Sequence, residues 1–292
     1  LGISPRMRTA LVDHIDVITT YPDREYKSLR SCIGEYAGAP MQNILVGNGS
    51  TELISLFIQM EHPRKALILG PTYSEYEREI SLGGGTSLYY PLKEEHDFIL
   101  DVEDFKRHDI FVIVDETYVE FAPDMDAVDS VPLTRYYNNL VILRGVSKFF
   151  AAPGLRLGYA ITGNMDLLKD INTHKDPWTI NSLAATAGEL MFTDTEYIHK
   201  TRELIASERD RIYQELSSWD SLKVYRPTAN FLLARIEKED ITADDLFEHA
   251  IRQGLMIRNC STFPFLDNRY FRFCFMLPEQ NTALLKCLKE LL

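Results

Sequence analysis

The stretch NNLVILRGVSKFFAAPGLRLGYA, residues 138–160, runs from apolar residues to Lys148 and reaches Arg156 eight residues later. The apolar run predicts a buried β-strand that Lys148 closely follows. A lysine there can extend its ammonium group to solvent, as surface lysines do. Alternatively it lies desolvated in a pocket that lowers the pKa of its ammonium group, which prepares it to form a Schiff base with a carbonyl compound.

Short apolar strands alternate with helix-like segments over the first two thirds of the chain. NILVG, KALILG, TSLYYPL, IFVIVD, NLVILRG and GYAITG each predict a strand. This alternation is typical of a mostly parallel sheet that is covered by helices on both faces. We therefore predict an α/β fold with a large doubly wound domain over residues 20–200. A smaller α+β domain is expected from residues 1–19 and 201–292.

Two helix boundaries have clear signals. Ser4 followed by Pro5 predicts the start of the first helix, because serine caps the free amide groups and proline suits the first turn. Gly38 predicts the end of the second helix, since glycine commonly ends helices in the left-handed conformation.

The composition excludes several classes of partner. The chain has 292 residues, with 31 basic and 43 acidic side chains and a net charge of −12. This charge opposes binding to nucleic acid or to an anionic membrane surface, so an anionic ligand needs a local pocket of arginines and amides. No apolar run is long enough to span a membrane. No metal-ligand spacing appears, and we expect buried reduced thiols, as in a cytoplasmic protein, at Cys32, Cys260, Cys274 and Cys287.

Several predicted turns carry residues suited to one cofactor. Residues 47–51, GNGST, open a helix and can either cradle a phosphate or simply cap the helix. Tyr73 can stack on a flat ring or pack in the core, and Asp115 ends an apolar strand, where its carboxylate needs a partner such as a protonated ring nitrogen or an arginine. Together with Lys148 and Arg156, these are the parts needed to hold pyridoxal phosphate.

Four motifs, VGNGSTE, GPTYSEY, VDETYVEF and SKFFAAPGLRLGY, resemble the fold-type I, class I and II aminotransferase family. The likeness runs from TYPDREY to the C-terminus, in the branch that contains threonine-phosphate decarboxylase and histidinol-phosphate aminotransferase. The resemblance implies that Lys148 holds the cofactor aldehyde and moves protons, and that Asp115 pairs with the pyridine nitrogen. It also implies that the remaining cofactor contacts come from Tyr118 on the phenolic oxygen, Tyr73 on the ring, Ser50, Thr51, Ser147 and Arg156 on the phosphate, and Tyr21 on the phosphate of a partner subunit in a homodimer.

The C-terminal segments DPWTINSLAATAGE, YRPTANFLLAR and IRNCSTFPFLDNRYFRF resemble threonine-phosphate decarboxylase most. The resemblance implies that Arg258 and Arg272 bind L-threonine O-3-phosphate, which is converted to the aminopropanol phosphate linker of cobalamin. Arginine suits this role because its planar fork matches carboxylate and phosphate groups. A surface ion pair is the alternative role for Arg258. Tyr118 favours a histidinol-phosphate-type aminotransferase instead, because a decarboxylase of this branch has phenylalanine there.

Some features of the family are missing from this sequence. They are the Asn-Pro-x-x-Pro-Thr-Gly segment, whose asparagine contacts the cofactor ring oxygen, and an N-terminal glycine-rich substrate loop; Gly145 also replaces a common serine. DVEDFKRHDIFVIVDE passes from a helix-like segment straight into a strand, where another βα unit is expected. We therefore expect residues to be missing before Leu1 and near residues 107–110.

Overall fold

The computed structural model describes residues 1–100 and 110–292. Its α-helices are α1 (Pro5–Asp13), α2 (Lys27–Ala37), α3 (Gly49–Glu61), α4 (Glu75–Leu82), α5 (Met125–Val128), α6 (Met165–His174), α7 (Ser182–Met191), α8 (Thr195–Ser217), α9 (Ala243–Arg252) and α10 (Pro278–Lys289). Its strands are β1 (Ile44–Gly47), β2 (Lys65–Gly70), β3 (Thr86–Pro91), β4 (Val112–Asp115), β5 (Leu140–Gly145), β6 (Gly158–Ile161), β7 (Leu222–Val224), β8 (Phe231–Ile236), β9 (Arg258–Asn259) and β10 (Tyr270–Cys274). Residues 107–109, where we expect a missing segment, lie outside the described residues.

The two main sheets have four strands each and are named here after the predicted domains in which they lie, the larger sheet and the smaller sheet. The larger sheet has the strand order β1-β6-β5-β4. β4 and β5 are parallel, whereas β6 is antiparallel to both of its neighbours, β1 and β5. β1 therefore runs in the same direction as β4 and β5. β2 and β3 form a separate parallel pair. The α/β class with a mostly parallel sheet is confirmed, and the reversed direction of β6 is an addition that strand periodicity cannot predict.

Helices cover both faces of this sheet, as a doubly wound arrangement requires. On one face, Leu53 and Phe57 of α3 belong to the same buried cluster as Leu143 of β5. On the other face, Ile33 of α2 shares a cluster with Ile142, the neighbouring residue of β5. Consecutive strand residues point to opposite faces, so a strand buried on both sides is apolar throughout.

The smaller sheet is antiparallel and has the order β7-β8-β10-β9. Phe271 and Phe273 are buried in the main core. Their neighbours Tyr270, Arg272 and Cys274 alternate with them and therefore lie on the opposite face. The boundaries that we predict for the two domains stay a prediction.

The predicted helix boundaries at the N-terminal end are confirmed. Ser4 Oγ accepts a hydrogen bond from the Met7 amide at 3.1 Å, and Pro5 is the first residue of α1. Gly38 ends α2 at φ +67°. The Ser4 hydroxyl also donates to the carboxylate of Asp194, the residue before α8.

The cysteines differ from the expectation of buried thiols. All four are free, and Cys260 and Cys287 are buried, but Cys32 is only partly buried and Cys274 is exposed. In the ranges 1–100 and 110–292, no helix has the length and apolar character needed to cross a membrane. No group of three or more His, Cys, Asp or Glu residues in those ranges is arranged to hold a metal ion.

Candidate active site

Four strand ends meet at one edge of the larger sheet. β1 ends at Gly47, β4 at Asp115 and β5 at Gly145, and the antiparallel β6 begins there with Gly158. Gly158 pairs with both Gly47 and Gly145, while Asp115 is in register with Leu143. Ligands of doubly wound sheets bind at such an edge, because turns and helix N-termini converge there. The turns at this edge carry most of the side chains that the sequence singled out.

The start of α3 and Arg156 form a cradle for an anion. Gly49 has φ +78°, and a Cβ atom placed on it would lie 2.4 Å from Arg156 Nη2. A Cβ atom on Gly158 would lie 2.6 Å from the Ser50 amide nitrogen. Ser50 and Thr51 are partly buried in the first turn of α3. Free amide groups and the helix dipole favour negative charge at this end, and the guanidinium group adds to that preference.

Arg156 is held in position by its backbone and remains available to a ligand. Its φ of +56° is a left-handed conformation that non-glycine residues seldom adopt and that often occurs at functional sites. Its Nη1 donates to the Pro153 carbonyl oxygen at 3.1 Å. Within the described ranges Arg156 forms no ion pair, so its remaining N–H groups can bind an anion.

Asp115 ends β4 and accepts hydrogen bonds from two groups. The Tyr76 hydroxyl donates to Oδ2 at 2.6 Å, and the Thr117 amide donates to Oδ1 at 2.9 Å. Burial and the charge of Asp115 raise the pKa of Tyr76 far above its usual value, so Tyr76 stays a donor. Sequence reasoning proposed an arginine or a ring nitrogen as the partner and missed this tyrosine. A carboxylate has room for about four hydrogen bonds, so Asp115 can accept another.

A buried ion cluster next to Asp115 joins the ends of β4 and β5. Arg144 is fully buried, and its Nε and Nη2 donate to Glu116 Oε2 at 3.0 and 2.7 Å. Nη2 also donates to Asp129 Oδ1 at 2.6 Å. Sequence reasoning missed this cluster, although an arginine within an apolar strand is a signal that a buried acid must be nearby.

Lys148 lies three residues beyond the end of β5, and its side chain is exposed. Of the two environments that the sequence allows for this lysine, the structure shows the exposed one. Its Nζ lies 5.8 Å from the centroid of the Tyr118 ring, and that ring packs edge-on against Phe231 of β8 at 5.5 Å. The attraction between the ammonium group and the ring favours this position of Lys148. Ser147, beside it, is partly buried.

Tyr73 follows β2 and is accessible to a planar ligand. Its side chain is 49% exposed, and its ring meets the Tyr76 ring edge-on with centroids 5.7 Å apart. Because Tyr76 donates to Asp115, one side chain links Tyr73 to the carboxylate at the end of β4.

Arg258 and Arg272 lie directly opposite each other on β9 and β10. The Phe263 ring centroid is 5.7 Å from Arg258 Cζ and 4.9 Å from Arg272 Cζ. Arg272 Cζ also lies 5.1 Å from the centroid of Phe231, the ring that packs on Tyr118. Like charges directly opposite each other destabilise a sheet. Neither arginine forms an ion pair with any described residue, so an anion between them would offset their repulsion.

Tyr21 lies on the surface with its side chain 80% exposed. Its ring packs against Trp178 of the same chain, with centroids 4.8 Å apart. The Trp178 indole donates to the Pro22 carbonyl oxygen at 3.2 Å. The contact of Tyr21 with the phosphate of a partner subunit stays a prediction.

Comparison with known proteins identifies the family of this chain. The sequence model of aminotransferase class I and II matches residues 3–108 and residues 102–288. Threonine-phosphate decarboxylase of Salmonella typhimurium is 31% identical over an alignment that covers 100% of this chain and 88% of that protein. Histidinol-phosphate aminotransferase of Desulfitobacterium hafniense is 32% identical, with 99% of this chain and 88% of that protein covered. The crystal structure of histidinol-phosphate aminotransferase from Clostridium acetobutylicum matches this structure with a TM-score of 0.90 and 29% sequence identity. The match covers 99% of this chain and 95% of that chain.

The alignment with the Salmonella protein extends over 327 positions, more than the 292 residues of this chain, and so contains positions that this sequence lacks. The two stretches matched by the sequence model of the family overlap at residues 102–108. The missing segment that we expect near residues 107–110 stays a prediction. The Salmonella decarboxylase and the Desulfitobacterium aminotransferase are nearly equally identical to this chain, so sequence identity alone does not separate the two activities.

Proposed function

We propose that this chain, which belongs to the class I and II aminotransferase family, is a decarboxylase of L-threonine O-3-phosphate. It is a pyridoxal-phosphate-dependent enzyme, as its relatives are. The product would be 1-aminopropan-2-yl phosphate, the linker unit of cobalamin. A threonine-phosphate decarboxylase that aligns with the whole chain supports this choice of substrate.

The cradle at the start of α3 fits the phosphate group of this cofactor. Because Gly49 has no Cβ atom, the Arg156 guanidinium group can pack directly against the start of α3. Arg156 and the first amides of α3 would hold the phosphate, and hydroxyl groups are available from Ser50, Thr51 and Ser147.

Four other side chains fit the pyridine ring and the aldehyde. Asp115 has the capacity to accept a hydrogen bond from the protonated ring nitrogen, and Tyr73 is exposed enough to stack on the ring. Tyr118 would donate to the phenolic oxygen, and the exposed Lys148 would hold the aldehyde. When bound, pyridoxal phosphate supplies an electron sink for the pair that bond cleavage leaves at the substrate Cα.

One observation supports the choice of substrate most strongly: Arg258 and Arg272 lie side by side without an ion pair in the described part of the chain. L-Threonine O-3-phosphate carries two anionic groups, a carboxylate and a phosphate, whereas histidinol phosphate carries only the phosphate. We assign the α-carboxylate to Arg272, because its contact with Phe231 brings it nearer to Tyr118 and Lys148. Arg258 would then bind the phosphate of the substrate.

These contacts determine which bond breaks. Arg272 and Arg258 would fix both ends of the substrate and so orient the bond between Cα and the carboxylate carbon for cleavage. Carbon dioxide would leave from Cα, and Lys148, freed from the aldehyde by the substrate amine, would donate from its ammonium group the proton that replaces it at Cα. No keto acid is consumed, so the enzyme returns to its starting form after each turnover.

A histidinol-phosphate-type aminotransferase is the alternative, and Tyr118 favours it. The centroid of the Tyr118 ring lies 5.8 Å from Lys148 Nζ. The aminotransferases that this chain resembles also have tyrosine at this position. In that reaction Lys148 would remove the Cα proton instead of donating one. The arginine pair would then bind the two carboxylates of a dicarboxylic keto acid such as 2-oxoglutarate.

Arginine variants test the proposed substrate site. Arg258→Gln and Arg272→Gln should each lower kcat/KM for L-threonine O-3-phosphate. The fall should correspond to a loss of about 2–5 kcal/mol in transition-state stabilisation, the range for removing one partner of a desolvated charge pair. The control is Arg269→Gln, since Arg269 lies just before β10, is exposed and faces Asp267 at 3.7 Å. Arginine variants as active as the control, or a wild-type enzyme that transaminates histidinol phosphate without releasing carbon dioxide from phosphothreonine, would contradict the proposal.

We also propose that the enzyme is a cytoplasmic homodimer with shared active sites. The exposed Tyr21 would reach the cofactor phosphate of the partner subunit. Tyr21→Phe should then weaken cofactor binding in the dimer. Sedimentation combined with activity measurement tests this, and a fully active monomer would contradict it.

A further inference from the structure

Glu94 connects the segment after β3 to the smaller sheet. Its Oε1 accepts hydrogen bonds from Arg235 Nη1 at 2.7 Å and from Lys223 Nζ at 2.9 Å. The Tyr225 hydroxyl donates to the same oxygen at 2.5 Å, and Oε2 accepts a second bond from Arg235 at 2.9 Å. These four residues are hereafter the Glu94 anchor. The Glu94 side chain is only 25% exposed. Its removal would take from Lys223 its carboxylate partner and leave Arg235, among the described residues, with Glu237 alone.

The carboxylate of Glu94 is charged at any working pH. Burial alone would raise its pKa, but the hydrogen bonds from Tyr225 and Lys223 outweigh burial, and the pKa falls to about 2. Burial and the hydrogen bond to Glu94 raise the pKa of Tyr225, which keeps its hydroxyl proton and remains a donor. The anchor is therefore a permanent ion pair network.

The anchor holds the face of the smaller sheet that also carries the two substrate arginines. Residues paired in register project from the same face, and Lys223 pairs with Arg235, which pairs with Tyr270. Arg272 follows Tyr270 by two residues on β10, and it pairs with Arg258. Two residues along a strand span roughly 7 Å, so the row held by Glu94 lies next to the row of the arginines.

Aromatic contacts extend this connection in both directions. Phe98, four residues after Glu94, packs edge-on against Tyr225 with centroids 5.1 Å apart. Both belong to the apolar cluster that includes Phe263, the ring beside the two arginines. Phe265, two residues after Phe263, contacts Gly70 at the end of β2. A Cβ atom placed on Gly70 would lie 2.8 Å from the Phe265 ring. The ends of β2 and β3 and the smaller sheet are thus joined at two places.

We propose that Glu94 is a positioning residue for the substrate arginines. The Glu94 anchor fixes the β7-β8-β10-β9 sheet to the end of the β2-β3 pair, from which Tyr73 follows directly. Arg258 and Arg272 are thereby held in one orientation toward the ligand. The identity of the substrate in this inference rests on the proposed function, whereas the anchor acts on the sheet whatever the substrate is.

Glu94→Gln and Glu95→Gln form a matched pair of variants. Each removes one negative charge from adjacent positions, but Glu95 is exposed and has no ion pair within the described ranges. Glu94→Gln should raise KM for L-threonine O-3-phosphate about tenfold, the change that about 1.4 kcal/mol produces. It should leave the visible absorption of the bound cofactor unchanged and kcat within about twofold, and Glu94→Asp, which keeps the charge, should give an intermediate KM. A folded Glu94→Gln enzyme with a lower Tm but the KM of Glu95→Gln would overturn the proposal.

Hydrogen–deuterium exchange of the holoenzyme without substrate tests the anchor independently of the proposed function. Amides of β7, β8 and residues 92–98 should exchange faster in Glu94→Gln than in Glu95→Gln, because the link between the two parts is lost. Equal exchange in the two variants would overturn the anchor even in an enzyme that decarboxylates phosphothreonine. Faster exchange in an enzyme without that activity would support the anchor and overturn only the assigned substrate.

Discussion

Gly49→Ala tests the phosphate cradle at the start of α3. A Cβ atom at this position would lie 2.4 Å from Arg156 Nη2 and 3.0 Å from Arg156 Cζ, well inside contact distance. The guanidinium group is the end of a flexible side chain, so it would move away from α3 while the fold persists. The cradle would then lose the cation that we expect to hold the cofactor phosphate.

The structure separates two costs of this change. Gly49 has φ +78°, and an alanine in a left-handed conformation costs about 1–2 kcal/mol of folding stability. Charge-assisted hydrogen bonds contribute about 1.5–3 kcal/mol, and their loss from Arg156 would raise the Kd of the cofactor about 10- to 150-fold. The first cost affects unfolding, and the second affects only cofactor binding.

Gly84→Ala is the matched control. Gly84 has φ +79°, but nothing lies within 4 Å of a Cβ atom placed there. It should lower Tm about as much as Gly49→Ala and leave cofactor binding unchanged. Titration of the apo enzyme with pyridoxal phosphate measures both Kd values, and thermal unfolding measures both stabilities. If Gly49→Ala binds the cofactor as tightly as Gly84→Ala, Arg156 and α3 do not form the phosphate site.

Three further substitutions test the roles of Lys148, Asp115 and Glu120. Lys148→Ala should bind pyridoxal phosphate but lose the visible absorption of the lysine-linked cofactor and essentially all turnover; wild-type activity in this variant would contradict the assigned site. Asp115→Asn should keep the fold and lower kcat, because the ring nitrogen loses a stabilising charge, and circular dichroism with steady-state kinetics would check both. Burial raises the pKa of Glu120 to about 7, and its Oε2 has no hydrogen-bond partner in the described part of the chain. The folded state therefore keeps this proton longer than the unfolded state, so stability should fall by at most about 3 kcal/mol as pH rises from about 4.5 to 7. Glu120→Gln should flatten that dependence in denaturant titrations, and an unchanged pH profile would show that Glu120 does not titrate there.

Local signals made much of the fold predictable. β1, β5 and β6 are wholly buried, and their apolar runs, interrupted only by Arg144 in β5, predicted them. Ser4 and Gly38 act within one turn of their own helices, so they could be assigned from sequence. The direction of β6 could not be predicted in this way, because a strand has the same alternation in either direction.

The site was predictable only where a residue ends a strand or opens a helix. Asp115 and Ser50 were found because their neighbours in the chain define those positions. Tyr76 and Glu94 were missed, because their partners lie far away in the chain and only the fold brings them together. The exposure of Lys148 likewise depends on how its turn packs, which the strand before it does not determine.

Turnover with a single substrate distinguishes decarboxylation from transamination. Purified holoenzyme is mixed with an excess of carboxyl-labelled L-threonine O-3-phosphate in the absence of any keto acid, and the labelled carbon dioxide released per active site is counted. We expect many equivalents of carbon dioxide, with matching 1-aminopropan-2-yl phosphate and no change in the form of the cofactor. No release of carbon dioxide, together with conversion of the cofactor to its amine form and activity only after 2-oxoglutarate is added, would contradict it and identify an aminotransferase.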